Sequence, residues 1–358
     1  MWNYKTVKMK SFENRKISSN ATLLSALKQM DEQHVKMLLV FENERFVSIL
    51  TVGDVQRAII KNIKLIEPIA GIVSINKKFA REGEPIEEIK QKMLSLRAEC
   101  MPVLDENGDL IDVLFWNDLF KKAEEPEREK INLPVVIMAG GKGTRLKPLT
   151  NVLPKPLIPV GDKTIIEEIM DQFESIGCKK FYMSVNYKVE MMKFYLSQLE
   201  HCYDIEFFQE DKPLGTIGSV ALLKGKINTP FIVSNCDIVI DQDYRDVYDY
   251  HRENDNDITL VTAVKTTRIP YGVIETGENG LMLGLTEKPE NTFMFNTGVY
   301  ILNPELIDEI PEGKMFHITE LMEKVKARGG RVGCFPVSDQ AWHDMGEWPE
   351  YLKMIDVL

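Results

Sequence analysis

A glycine-rich turn placed directly after an apolar run is the first part of this sequence able to do chemistry. Leu133-Pro134-Val135-Val136-Ile137-Met138-Ala139 leads without a break into Gly140-Gly141-Lys142-Gly143-Thr144-Arg145. Glycines let backbone N–H groups approach an anion closely, and Arg145 adds a forked, permanently charged donor, so the turn suits a phosphate. It follows neither standard glycine fingerprint: the Gly-Lys-Ser/Thr ending of a Walker loop is missing, and so is the G-x-G-x-x-G spacing of a dinucleotide site. Asp237 is the second candidate, standing at the end of the apolar run Phe231-Ile232-Val233-Ser234-Asn235-Cys236. A carboxylate at the C-terminal edge of a strand lies where open α/β sheets hold their ligands, and it is a hard oxygen donor for Mg²⁺. Far along the chain, Trp342-His343-Asp344-Met345-Gly346 offers a second such donor in Asp344. Two carboxylates holding one hard cation against a phosphate are the minimal arrangement for phosphoryl chemistry. Of the five histidines only His343 stands near these residues, and none has metal-ligand spacing, which argues against zinc and histidine catalysis.

The elements that must position these residues come next. From Leu133 onward, apolar strands alternate with helical stretches, as in a doubly wound α/β fold with a mostly parallel sheet. Within it, Gln209-Glu210-Asp211-Lys212-Pro213-Leu214-Gly215-Thr216-Ile217-Gly218 joins a strand ending at Phe208 to a helix expected to start near Ser219.

The glycine turn continues through Leu157 as G-G-x-G-T-R-L-x-P-L-T-x-x-x-P-K-P-L. With that pattern the stretch from about 133 to 358 resembles the sugar-1-phosphate nucleotidyltransferases. The resemblance implies a Rossmann-like α/β transferase domain that binds a triphosphate on Ala139, Gly140, Gly141, Gly143 and Thr144. Arg145 would hold the leaving pyrophosphate end, and Lys155, between Pro154 and Pro156, the phosphates near the reacting centre. Gln209 and the backbone of Leu214, Gly215 and Thr216 would read the nucleobase edge. On the sugar side, Gly272, Asn296 and Thr297 would line the ring, Glu287 would accept from its hydroxyls, and Lys288 would grip its phosphate. Asp237 and Asp344 would hold Mg²⁺. The P-L-G-T form of residues 213–216 resembles guanylyltransferases more than thymidylyl enzymes, and uridylyl relatives share it. The expected reaction condenses GTP with a sugar 1-phosphate (glucosamine, mannose or N-acetylglucosamine 1-phosphate) to give a nucleotide sugar and pyrophosphate. A non-catalytic sugar-nucleotide sensor and a sugar-transferring enzyme of related fold are the competing readings. No left-handed β-helix is expected after Trp348.

The first third contains a repeat. Read without gaps at an offset of 64 residues, Met37 to Asn43 falls on Met101 to Asn107, and Ile49 to Asp54 on Val113 to Asp118. Each copy predicts a helix (22–33 and 85–96), a short strand, an Asn-bearing turn, a second strand and an Asp opening another helix. Two such units, packed about a pseudo-twofold axis, resemble a tandem pair of CBS domains over residues 1–122, with repeats of about 1–62 and 63–122. A charged linker containing Pro126 (123–132) would lead to the transferase domain at 133–358. By the resemblance, Thr51 and Asp54 would contact the phosphate and ribose of an adenine nucleotide. The second copy keeps Asp118 but has Phe115 in place of the hydroxyl, so one complete site at most is expected. Asp54 and Asp118 read equally well as caps of the helices that follow them. That layout is nearest to the guanylyltransferases of legionaminic-acid-type GDP-amino-sugar pathways, and because CBS pairs often associate it implies a homo-oligomer.

Composition narrows the partners. A formal net charge of −11 with no Lys/Arg cluster argues against nucleic acid and for small molecules. No apolar run is long enough for a membrane span, and the start Met1-Trp2-Asn3-Tyr4-Lys5 lacks a signal pattern, so a cytoplasmic protein is expected. The cysteines, five with no C-x-x-C pair, fit reduced buried thiols.

Overall fold

In a computed structural model, residues 12–33, 35–74, 77–96, 98, 100–119, 128–199 and 203–357 are described, with backbone alone for 117, 118 and 353–357. The chain divides into two compact units between Glu129 and Lys130. In the first, β1 (Lys16–Ser18), α1 (Leu23–Glu32), β2 (Met37–Glu42), β3 (Arg45–Thr51) and α2 (Val52–Ile60) form one repeat. The other contains β4 (Ala80–Arg81), α3 (Ile86–Leu96), β5 (Cys100–Leu104), β6 (Leu110–Phe115) and the short α4 (Trp116–Leu119). Each makes a three-stranded sheet, β1-β2-β3 or β4-β5-β6, with its first pair parallel and its second antiparallel. Met37 and Leu39 share a core with Cys100 and Val113, so the two sheets bury one face against each other.

The faces correct the ungapped alignment. Met37 points into the shared core, and alternation turns Leu38 to the other face. In the second repeat Cys100 occupies the shared core, whereas Met101 packs with Ile89 and Met93 of α3. Leu38 therefore matches Met101, an offset of 63, while Leu50 matches Leu114 at 64. The second hairpin turn is one residue longer, and a slip of one residue exchanges the faces of a strand.

In the second unit, β7 (Val135–Ala139) is followed by α5 (Leu149–Val152), β8 (Pro159–Val160), β9 (Lys163–Thr164) and α6 (Ile165–Ser175). Next come β10 (Lys180–Val185), α7 (Val189–Gln198), β11 (Asp204–Gln209), β12 (Phe231–Asn235), β13 (Ile238–Ile240) and α8 (Tyr244–Glu253). The unit closes with β14 (Ile258–Arg268), β15 (Val273–Thr276), β16 (Met282–Thr286), β17 (Glu290–Leu302), α9 (Ile318–Ala327), β18 (Val332–Ser338), β19 (Trp342–Asp344) and α10 (Trp348–Val357). Seven strands form the central sheet in the order β11-β10-β7-β12-β17-β14-β18. It is parallel except at β17, which runs against both β12 and β14. Apolar layers cover both faces: Val135 and Ile137 point to one, Val136 to the other. That buried-on-both-sides pattern is why β7 reads as a continuous apolar run. Where a helix was expected from Ser219, the chain forms a six-residue 3₁₀ helix, Gly218–Leu223.

Cys178 and Cys236 are free thiols, pushed up to about 12 by burial. Cys202, residues 120–122 at the end of the expected first domain and residues 123–127 of the expected linker lie outside the described residues. Among the described residues no helix is long and apolar enough to cross a membrane.

Behind the sheet, buried His251 gives the second unit a pH-dependent term. Asn303 donates through Nδ2 to the Asn256 carbonyl (3.1 Å), which turns its Oδ1 toward His251 Nε2 at 3.1 Å. Asn256 donates to Thr259 Oγ1 (3.0 Å), leaving that hydroxyl to donate to His251 Nδ1 at 2.9 Å. The network thus selects the neutral Nε2–H tautomer, and burial lowers the imidazole pKa by more than the Asn303 bond raises it. A folded value below the unfolded one, ~6.5, means that the stability contribution is whole above ~6.5 and is lost as pH falls through the window beneath it. Thermal unfolding should therefore show a loss of stability between pH 7.5 and 5 that His251→Gln flattens; identical pH profiles would sink the assignment.

Candidate active site

Three neighbouring parallel strands, β10, β7 and β12, end together, with Val185 level with Ala139 and Asn235 with Met138. Their loops therefore leave the sheet side by side, which puts the turn 140–145 next to Asp237. Asp344 arrives from far along the chain because β19 pairs antiparallel with β13, setting Asp344 opposite Ile238. The Met345 amide then donates to the Asp237 carbonyl at 2.9 Å.

Gly346 marks where the charges meet. A Cβ on it would lie 2.5 Å from Asp237 Oδ2, 2.6 Å from Lys155 Nζ and 2.7 Å from Asp344 Oδ1. Lys155 sits on a 3₁₀ turn behind Pro154, only 8% exposed, and pairs with buried Asp237. Burial, then repulsion from the Asp237 charge, pushes the Asp344 carboxyl above its usual range. Arg145 reaches Glu347 at 2.7 Å and Asp237 at 3.9 Å. Two carboxylate oxygens converging on one point are a fitting donor pair for a hard divalent cation. Among the described residues no group of three or more His, Cys, Asp or Glu forms a closed cage, so phosphate oxygens and water would complete such a site.

The glycine turn 140–145 packs on the same lysine. Gly143 has φ 61°, and a Cβ there would lie 2.8 Å from Thr150 Cγ2 and 2.9 Å from Lys155 Cβ, so glycine is required on two counts. The 3₁₀ turn Thr144–Leu146 begins directly after it. Ala139 is buried, Gly140 faces Glu210, and over Gly141 the space is open. At the end of β11 Gln209 is exposed, and in the loop that follows Leu214 is buried. Gly215, at φ 86°, lies against Phe316, whose carbonyl oxygen would be 2.5 Å from an added Cβ. The Phe316 amide donates to Leu214 O (2.9 Å) and the Ile318 amide to Thr216 Oγ1 (2.9 Å), so the segment 316–318 braces this loop.

The structure gathers Lys155, Asp237 and Asp344 around Gly346, with Arg145 3.9 Å from Asp237, while the residues expected on the sugar side lie beside the β15–β16 hairpin and on β17. Glu287 and Lys288 are exposed, and a Cβ on Gly272 would lie 2.9 Å from Glu287 Oε2. Asn296 accepts from the Gly298 amide at 3.0 Å. Thr297 is buried, its hydroxyl spent on the Val261 carbonyl at 2.8 Å. In the first unit Thr51 and Asp54 form a capping box at the start of α2. Lys77 Nζ (2.5 Å) and Arg57 (2.7 Å) also engage Asp54; burial alone would push its carboxyl up, but the bonds from Lys77 and Thr51 hold it below the usual range. The Asp118 side chain lies outside the described residues. Sequence reasoning passed over Gly346, Glu347 and Glu210. Gly346 carried a signal, since it ends the Trp342 to Gly346 motif; the other two are given no role by their local sequence.

The nucleotidyl transferase family model matches residues 134–357, and a CBS domain model matches residues 13–61. The chain belongs to the nucleotidyl transferase family. Mannose-1-phosphate guanyltransferase of Yarrowia lipolytica is 36% identical over 226 residues, covering 61% of this chain and 62% of the relative. Mannose-1-phosphate guanylyltransferase catalytic subunit beta of Dictyostelium discoideum is 31% identical over 228 residues, covering 62% and 63%. This chain thus spans about three fifths of the length of these curated relatives. Among solved structures, HddC from Yersinia pseudotuberculosis matches 63% of this chain and 99% of its own, at 25% identity and a TM-score of 0.50.

Proposed function

We propose that the second unit condenses a nucleoside triphosphate, GTP, with a hexose 1-phosphate, giving a GDP-sugar and pyrophosphate. The observation that carries this reading is the gathering of Lys155, Asp237 and Asp344 around Gly346, with the glycine loop and Arg145 alongside. A sugar-phosphate oxygen attacks the α-phosphorus in line, and the bond to the leaving pyrophosphate breaks. The attacking phosphate is already ionised, so positioning and charge stabilisation supply the rate. Arg145 holds the leaving pyrophosphate, Lys155 the phosphate under attack, and Lys288 the sugar phosphate. Asp237 and Asp344 hold Mg²⁺, which when bound neutralises charge on the attacked phosphate. Gln209 and the backbone of 214–216 meet the base. Relatives named mannose-1-phosphate guanyltransferases support GTP and make mannose 1-phosphate the first sugar to test; glucosamine and N-acetylglucosamine 1-phosphates follow. We further read the protein as cytoplasmic and homo-oligomeric, with an adenine nucleotide at Thr51 and Asp54 as the ligand of the first unit.

Pyrophosphate release tests this, with Mg²⁺, GTP, UTP, CTP, dTTP and ATP crossed against the three sugar phosphates and glucose 1-phosphate. Release with GTP and one sugar is the expected outcome; a protein that binds nucleotide but releases nothing would favour the sensor. Glu347 competes with the triphosphate for Arg145, and such exposed pairs contribute at most ~1 kcal/mol. Glu347→Gln should therefore lower the KM for GTP by up to ~fivefold in the same assay; a raised KM would sink this role.

A further inference from the structure

We propose that Glu210 is the positioning residue that sets the nucleobase loop and its spacing from the phosphate loop; this rests on the reading of residues 209–216 as the base loop. Glu210 is 6% exposed, and its two carboxylate oxygens accept from different elements. Oε2 takes the Leu214 amide at 3.0 Å, and Oε1 takes the Ser184 hydroxyl at 2.7 Å. Ser184 has one hydroxyl proton and spends it there, so Ser219, 3.0 Å from Ser184 Oγ, donates to Ser184. The Glu210 backbone is fixed too: its amide donates to Val185 O (3.2 Å), and its carbonyl accepts from Asn186 Nδ2 (2.7 Å).

Two consequences follow for the loops. Leu214 is held on both sides, its amide by Glu210 and its carbonyl by the Phe316 amide, so the peptide groups running into Gly215 and Thr216 have one orientation. Those are the groups that meet the base edge. The same carboxylate also abuts the phosphate loop: an added Cβ on Gly140 would stand 3.1 Å from Oε1. The side chain is thus a wedge between the start of 140–145 and the middle of 209–216, and its length sets how far apart triphosphate and base are held.

A glutamine side chain can do this work and an alanine cannot. In Glu210→Gln the amide oxygen would accept from Leu214, while the NH₂ would donate to Ser184, which would turn to donate to Ser219. Glu210→Ala leaves the buried Leu214 amide unpaired and removes the wedge. The test is calorimetric binding of GTP, UTP and inorganic tripolyphosphate, with Mg²⁺, to the full chain and its variants. Glu210→Ala should weaken GTP at least tenfold, shrink the preference for GTP over UTP, and leave tripolyphosphate within twofold. Glu210→Gln should stay within threefold of wild type for all three. Ser184→Ala keeps the partner of Leu214, and should weaken GTP by an intermediate two- to fivefold, which preserves the comparison if Glu210→Ala does not fold. The proposal is overturned if Glu210→Ala binds GTP as wild type does, if tripolyphosphate weakens in proportion to GTP, or if Glu210→Gln is as weak as Glu210→Ala. A wild-type protein with no preference between GTP and UTP would instead remove the base-loop reading, and the proposal with it.

Discussion

Asp237→Asn is expected to lower kcat for pyrophosphate release by about 10²–10³-fold, the scale seen when one preorganised charge-stabilising group is removed. Asparagine keeps the size and removes the charge, so metal binding and the pairing with Lys155 are lost together. The second loss also affects folding. Lys155 would lose its buried ion-pair partner, and breaking such a pair from one side costs about 3–5 kcal/mol. Thermal unfolding should record that drop. Combining Asp237→Asn with Lys155→Met should recover much of the stability and none of the turnover, which separates the chemical role from the structural one. Turnover of Asp237→Asn within tenfold of wild type would refute the metal assignment.

Gly346→Ala changes no charge, yet we expect it to lower turnover about 100-fold. The new methyl would lie 2.5–2.7 Å from Asp237 Oδ2, Lys155 Nζ and Asp344 Oδ1, well inside contact distance, so those groups must part. Displacing catalytic groups by ~1 Å can reduce a rate on the order of 100-fold. The same overpacking should destabilise the unit by about 1–3 kcal/mol. Steady-state kinetics beside titration of Mg²⁺ would check it: weaker metal dependence together with lost turnover is expected, and wild-type behaviour in both would count against the crowding argument.

The sequence makes the glycine loop legible because Gly140 to Leu157 is one uninterrupted motif whose glycines have local reasons to be there. Asp237 is legible for a similar reason: an apolar run that ends in a carboxylate announces a strand edge. What joins Asp237 to Asp344 is the β13–β19 pairing, a contact between distant segments that no local pattern encodes. Glu210 is hidden for another reason. Its neighbours Gln209 and Asp211 are exposed, and only the fold brings Ser184 and the Leu214 amide to it. In the first unit the repeat was visible but its register was not. An extra turn residue is silent in composition and appears only when strand faces are compared.

The brace on residues 209–216 bears on how the proposed base preference could be re-engineered. The Phe316 carbonyl leaves room only for glycine at 215, and Thr216 Oγ1 accepts from the Ile318 amide, so the loop is shaped by a segment about a hundred residues downstream. Transplanting 209–216 from a relative with another base preference would bring the letters of the donor loop without its foundation. Changes of base preference in this scaffold should therefore come as paired substitutions at both segments, and libraries that randomise the loop alone should yield chiefly weakened binders.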